Sequence, residues 1–310
     1  MSIPPAVSVV DLKKQYGSFT AVDGISFDIE AGETFALLGP NGAGKSTTVE
    51  ILEGYRERTS GEVQVLGIDP RRGDLEWKAR LGIVLQQTGE SGNVTVREQL
   101  THFAGLYPRP RSVDEVIAAV GLEKKASTRI KALSGGQRRR VDVALGVIGR
   151  PELLFLDEPT TGFDPEARRQ FWELIRSLSR EGTTIVLTTH YLDEAAQLSD
   201  RAAVIAGGTL IDMGPVDQLG SADARVPIVR WREQSGPPSG SGAAGSGAVR
   251  EQRTTEPARF VADLVARSGE PAELEVIRPS LEDVYLGLVE AAERASGTVP
   301  TSGALEEARS

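Results

Sequence analysis

Residues Gly39–Thr47 read GPNGAGKST, which satisfies G-x-x-x-x-G-K-[ST] immediately after the apolar run Thr34–Leu38 and before a helical stretch, Thr48–Leu52. Such a loop gathers phosphate. Gly39, Gly42 and Gly44 let the backbone wrap an anion, with Pro40, Asn41 and Ala43 supplying the intervening turn, and the following helix adds its positive end. Lys45 brings charge to the β- and γ-phosphates of ATP, Ser46 offers a hydroxyl to Mg2+, and Thr47 can reach the α-phosphate. The plain alternative is a glycine-rich turn with no ligand, and the strand and helix on either side argue against it.

A second chemical element is LLFLDEP, Leu153–Pro159, an apolar strand that ends in Asp157 and Glu158. Two adjacent carboxylates repel each other unless a cation lies near. Asp157 suits the Mg2+ side and Glu158 the general base that polarises an attacking water. Taken alone, the pair could equally be a solvated acidic turn. Leu133–Gln137 reads LSGGQ at the opening of a helix that continues through three arginines. Ser134, Gly135, Gly136 and Gln137 at a helix start form a second anion site, which one phosphate loop does not need.

LSGGQ in this order is similar to the signature of ABC-type ATPases, and the chain resembles that family from about Val7 to Leu219. The resemblance implies that LSGGQ caps ATP held by a second copy, in a head-to-tail dimer. It also implies roles for single residues. Tyr16, in KQYGSFTAVDGISF, looks like the aromatic that stacks on adenine, with an ordinary half-buried strand tyrosine as the alternative. Gln86, ending LGIVLQ, looks like the glutamine that touches Mg2+ and the lytic water, with Gln87 an adjacent rival. His190, ending TTIVLTTH, looks like the switch histidine at the γ-phosphate; His102 sits in a helical stretch and reads as structural. Gly162 and Asp164 match the loop that crosses the dimer. Phe163 stands where the family usually has leucine, which implies a bulkier hydrophobic contact across that interface.

These residues need a scaffold that brings strand ends together. Short β-branched runs alternate with helical segments from residue 7 to 220, the pattern of an α/β P-loop domain with a largely parallel core sheet. A helical subdomain is expected as an insertion over about 88–150. A small α/β appendage is expected over 221–292, interrupted at 234–247 by QSGPPSGSGAAGSG, a tract too poor in apolar side chains to repay ordering and expected to be a mobile loop. Within the appendage, Ala258–Arg267 reads as helix, Ala272–Ile277 as strand, and Ser280 as the N-cap of a last helix. Residues 293–310 read as a disordered tail.

The chain has 310 residues and no cysteine, which excludes thiol catalysis and cysteine metal sites and fits a reducing compartment. A net charge of -9 argues against nucleic acid as a partner. No run approaches the roughly 18 apolar residues of a membrane span, so any membrane role needs a polytopic permease partner. The ending RPSLEDVYLGLVEA resembles the extension of ABC-2 type, drug-resistance-like exporter ATPases, which implies a cytoplasmic ATPase, peripheral on the inner face of the membrane, driving export of a drug-like or lipid-like cargo. A simple dimerisation or packing helix is the alternative for that ending. A soluble ABC ATPase without a membrane partner and an importer subunit remain as alternatives for the whole.

Overall fold

The computed structural model describes residues 4–85, 93–233 and 248–296. Contacts divide the chain into two compact units: Met1–Gln218 with the end of the chain from Ala291, and Leu219–Glu290.

The first unit opens with β1 (Val7–Tyr16), β2 (Phe19–Ile29), β3 (Thr34–Leu38), α1 (Lys45–Leu52) and β4 (Ser60–Val65). There follow α2 (Leu75–Lys78), β5 (Leu81–Val84), α3 (Val96–Ala104), α4 (Val113–Ala119) and α5 (Gly135–Ile148). It continues with β6 (Leu153–Asp157), α6 (Pro165–Arg180), β7 (Thr184–Thr188), α7 (Leu192–Leu198), β8 (Arg201–Ala206) and β9 (Thr209–Pro215). Six strands form the core sheet in the order β5-β6-β7-β3-β8-β9, all parallel except β9. Every residue of β3 and β7 is buried, as strands covered on both faces must be, and this is why TFALL and TIVLT carry no polar alternation. A separate antiparallel sheet, β2-β1-β4, was not foreseen in the sequence.

The sheet order decides where the chemistry can sit. Four neighbouring parallel strands, β5, β6, β7 and β3, release the chain at the same end, and the segments that follow them begin at Leu85, Glu158, Thr189 and Gly39. Ligands of open α/β sheets bind outside this edge. Paired registers of Asp157 with Thr188, and of Leu37 with Thr188, hold the three central strands level.

The second unit contains β10 (Ile228–Arg232), β11 (Val249–Arg253), α8 (Pro257–Ser268), β12 (Ala272–Ile277) and the start of α9 (Leu281–Ser296). Its sheet is antiparallel in the order β11-β10-β12. Trp231 packs on Phe260 at 5.5 Å, and cross-strand pairs such as Arg230–Glu251 at 2.8 Å line the exposed surface. The backbone N–H of Ser280 donates to Asp283 Oδ2 at 2.7 Å and the Asp283 N–H donates to Ser280 Oγ at 3.2 Å, closing the start of α9. The tract 234–247 lies outside the described residues.

Candidate functional site

The phosphate loop is pressed between two strands. At Gly39 an added Cβ would stand 2.1 Å from the Ile205 carbonyl oxygen, and at Gly44, with φ 104°, 2.4 Å from that of Ala21. Only glycine fits this path. Gly44 is the N-cap of α1 and offers no side chain, so no side-chain cap claims the amides of the first turn. Lys45 is 7% exposed and donates to the carbonyls of Gly39 at 2.6 Å and Pro40 at 3.1 Å. Burial lowers its pKa, and the carboxylates of Glu158 and Asp157 act against that shift. Ser46 is exposed and Thr47 half-buried, while Thr48 turns inward and donates to the Gly44 carbonyl at 2.9 Å.

At the end of β6, Asp157 accepts a hydrogen bond from the Thr188 hydroxyl. Glu158 has φ 45°, a left-handed conformation that costs a non-glycine residue on the order of 1–3 kcal/mol. Its N–H donates to the Thr188 carbonyl at 3.0 Å. Its Oε1 lies 3.4 Å from His190 Nδ1, with the glutamate side chain 14% and the histidine 46% exposed. The His190 ring lies against Tyr191 at 4.0 Å, and Arg168 covers the Tyr191 ring at 4.8 Å.

Ser134 is the N-cap of α5, and the motif caps itself. The Gln137 N–H donates to Ser134 Oγ at 3.3 Å, and Gln137 Oε1 accepts from the Ser134 N–H at 3.2 Å. A Cβ on Gly135 would meet nothing within 4 Å, whereas one on Gly136 would touch the Gly162 carbonyl at 3.4 Å. Among the described residues, Ser134–Gln137 make no hydrogen bond to the phosphate loop.

Tyr16 ends β1 and is 38% exposed. Lys14 Nζ lies 4.8 Å and the Arg56 guanidinium 5.3 Å from the centre of its ring. Arg56 in turn pairs with Glu50 of α1 at 2.5 Å, which links the ring to the helix that follows the loop. Asp164 caps α6 by accepting from the Ala167 N–H at 2.8 Å. Phe163 differs from the expectation of an interface contact. It is 7% exposed and sits edge-on to Phe171 at 5.9 Å within the same chain, because the loop folds back against α6. His102 is exposed in the last turn of α3. Gln86 and Gln87 lie outside the described residues.

Besides Lys45, the described residues include five buried ionisable side chains that belong to no motif, Glu33, Glu53, Arg139, Asp142 and Glu194, and three of them bear on the site. Arg139, second of the three arginines, is 7% exposed; Glu53, which ends α1, is 7% exposed; Glu194 on α7 is fully buried. Burial pushes the Glu53 carboxyl up to about 8, with Asp157 and Glu50 adding to the shift. Burial also raises Glu194, eased by Thr189, Thr160 and Trp172, none of which meets its oxygens in full hydrogen-bond geometry. The helical spacing of four that puts Arg139 in line with the apolar Val143 and Val147 is the available signal for the first.

Comparison with known proteins follows the same outline. The family model described as ABC transporter matches residues 22–161. The chain is 42% identical over 233 residues to Nod factor export ATP-binding protein I of Rhizobium johnstonii, covering 73% of this chain and 74% of the relative. It is 41% identical to the protein of that name from Ralstonia nicotianae, covering 69% and 68%. Across the Nod factor export proteins the match spans from 59% to 75% of the relative's own length. The probable multidrug ABC transporter ATP-binding protein YbhF of Escherichia coli is 40% identical, with 70% of this chain and 38% of YbhF covered. Among solved structures, cbiO1 from Clostridium perfringens, part of the ABC transporter complex cbiONQ, superposes with a TM-score of 0.61 at 28% identity over 69% of this chain and 89% of that one. An ATP binding subunit of an ABC transporter gives 0.63 at 25% identity, over 68% and 90%.

Proposed function

Since this chain belongs to the ATP-binding subunits of the ABC transporter family, we propose that it powers a separate polytopic permease that exports a drug-like or lipid-like molecule. The protein is an ATPase. Among the described residues no helix is long and apolar enough to cross a membrane, so in this reading the chain works peripherally, on the cytoplasmic face, through its permease. The export assignment is supported by relatives named for Nod factor export and multidrug transport.

The observation that carries the hydrolytic reading is the meeting of Glu158 and His190 at 3.4 Å on the sheet edge where Lys45 is also held. The amides of Gly39, Asn41, Gly42, Ala43 and Gly44, together with Lys45, Ser46 and Thr47, cradle the phosphates, and Tyr16 receives adenine. Glu158 takes the proton of the attacking water as its oxygen bonds the γ-phosphorus and ADP departs, and His190 holds the γ-phosphate. Mg2+ would be held by Ser46 and Asp157, with Gln86, which lies outside the described residues, proposed from the sequence as a further donor. Among the described residues no cluster of three acids or histidines is present, and Mg2+ ordinarily binds nucleotides with only one or two carboxylates. It would neutralise charge on the phosphates.

A second copy completes the site. The Ser134–Gln137 segment, Gly162 and Asp164 would face the nucleotide of the partner, which accounts for a signature turn that makes no bond to its own phosphate loop. The same reading assigns residues 7–220 to the ATPase domain, 88–150 to its helical subdomain, 221–292 to an appendage and 293–310 to a tail.

Glu158→Gln tests the chemistry. Turnover should fall by about 10²–10⁴ while ATP still binds and traps a dimer visible by size-exclusion chromatography. Undiminished turnover removes Glu158 from the base role. Recovery of the wild-type chain with ribosomes or DNA, in place of a polytopic membrane protein, sinks the transport reading.

A further inference from the structure

Three arginines open α5, and the middle one turns into the protein. Arg138 is exposed and Arg140 half-buried, whereas Arg139 is 7% exposed. Its guanidinium spreads across four main-chain carbonyls. Nε donates to Pro159 at 3.2 Å, Nη2 to Asp157 at 2.5 Å and to Glu158 at 3.2 Å, and Nη1 to Leu85. Two of these carbonyls flank the Glu158 Cα, the very residue held at φ 45°. The fourth belongs to the residue that precedes Gln86.

Burial lowers the pKa of Arg139, and the carboxylates of Asp142, Asp157, Glu158 and Glu194 act against that shift without cancelling it, so the carbonyl bonds are needed to hold the buried guanidinium. The fork shape matters as much as the charge. A guanidinium presents donors in several fixed directions and can serve separate segments together, which a lysine ammonium on its flexible stem cannot do in the same way. Arg139 therefore bonds both the end of β6 and the exit of β5 and, through its own helix, reaches the Ser134 turn.

We propose that Arg139 is a positioning residue for hydrolysis: it holds the Glu158 peptide in its left-handed conformation and ties that peptide to the segment entering Gln86 and to the signature helix. Its effect reaches the reaction through the backbone of Glu158, and the inference rests on Glu158 being the general base.

Steady-state ATPase kinetics on the full-length chain carrying Arg139→Gln and Arg139→Lys, alone and combined with Glu158→Gln, test it. In the single variants kcat should fall more than about tenfold for glutamine and by less for lysine, because a misplaced base loses rate steeply. Nucleotide affinity and the KM for ATP should stay within about threefold, since the phosphate loop is untouched. In the Glu158→Gln background the same replacements should change residual turnover by less than about twofold, as two groups acting as one unit are not additive. Melting curves check folding, and if Arg139→Gln does not fold, Arg139→Lys carries the measurement. Unchanged kcat, affinity lost in step with rate, or a full penalty persisting without Glu158 overturns the positioning role. Full activity of Glu158→Gln by itself overturns instead the base assignment beneath it.

Discussion

Helices α1 and α5 both start on glycine-rich turns, and their first-turn donors are treated in opposite ways. Gly44 leaves the start of α1 without a side-chain cap, whereas Ser134 and Gln137 close a capping box on α5. An open end is ready for an anion as it stands. A closed end has its own stabilising partner, which a phosphate must share or displace. The difference suits the proposed function, in which the loop holds nucleotide alone and the turn meets nucleotide only when a second copy brings it.

Gly44→Ala should break the contrast most severely. A Cβ 2.4 Å from the Ala21 carbonyl, at φ 104°, forces the loop to move. Nucleotide affinity should drop on the order of a hundredfold, equal to about 3 kcal/mol, in a fluorescent-nucleotide titration. Affinity kept at the wild-type level would mean that the open end does not depend on its geometry.

Glu53→Gln probes the far end of α1. The carboxyl is raised on folding from 4.5 to about 8, so between those values the folded chain keeps a proton that the unfolded chain gives up. Stability from this group is whole below 4.5 and declines as pH rises towards 8. At about 1.4 kcal/mol for each pH unit, removing the charge should raise the Tm of the nucleotide-free protein by roughly 4 °C or more at pH 8. The gain should vanish near pH 4.5. An equal gain at both values would contradict the proton linkage.

Ser134→Ala is the mildest. Losing the cap should cost about 1 kcal/mol, or roughly 2–4 °C in Tm. The monomer should bind nucleotide normally, while ATP-driven pairing weakens on the order of tenfold if the hydroxyl contacts the partner's phosphate, a charge-assisted bond. Analytical ultracentrifugation with ATP distinguishes this from a purely structural cap, for which pairing would be unaltered.

The α1 end was legible because its signals are local: a buried strand, glycines at set spacing, a lysine and a hydroxyl within one short stretch. The parallel core was legible for a similar reason, since TFALL, LLFLD and TIVLT are apolar runs with polar residues only at their ends. The antiparallel strands were harder. IVRWR and VREQR of β10 and β11 alternate charges that pair only across the sheet, and the long tract between them conceals their partnership. Phe163 carries the expectation of a contact across the dimer, and its neighbours in sequence, Gly162 and Asp164, do not reveal that Phe171 lies behind it in the same chain. Arg139 was hidden among three identical side chains. Which of them turns inward depends on how α5 packs over β5 and β6, and Glu194 is concealed in the same way on α7.

The hairpin of the second unit has a practical consequence. The Glu233 N–H donates to the Ala248 carbonyl at 3.0 Å, so the chain leaves and re-enters the sheet at adjacent points. Closing a longer connection between fixed ends costs only about 0.6 kcal/mol for each doubling of its length. A fluorescent protein or affinity handle spliced between Glu233 and Ala248 would enter and leave through neighbouring backbone positions, giving a marker within the chain itself.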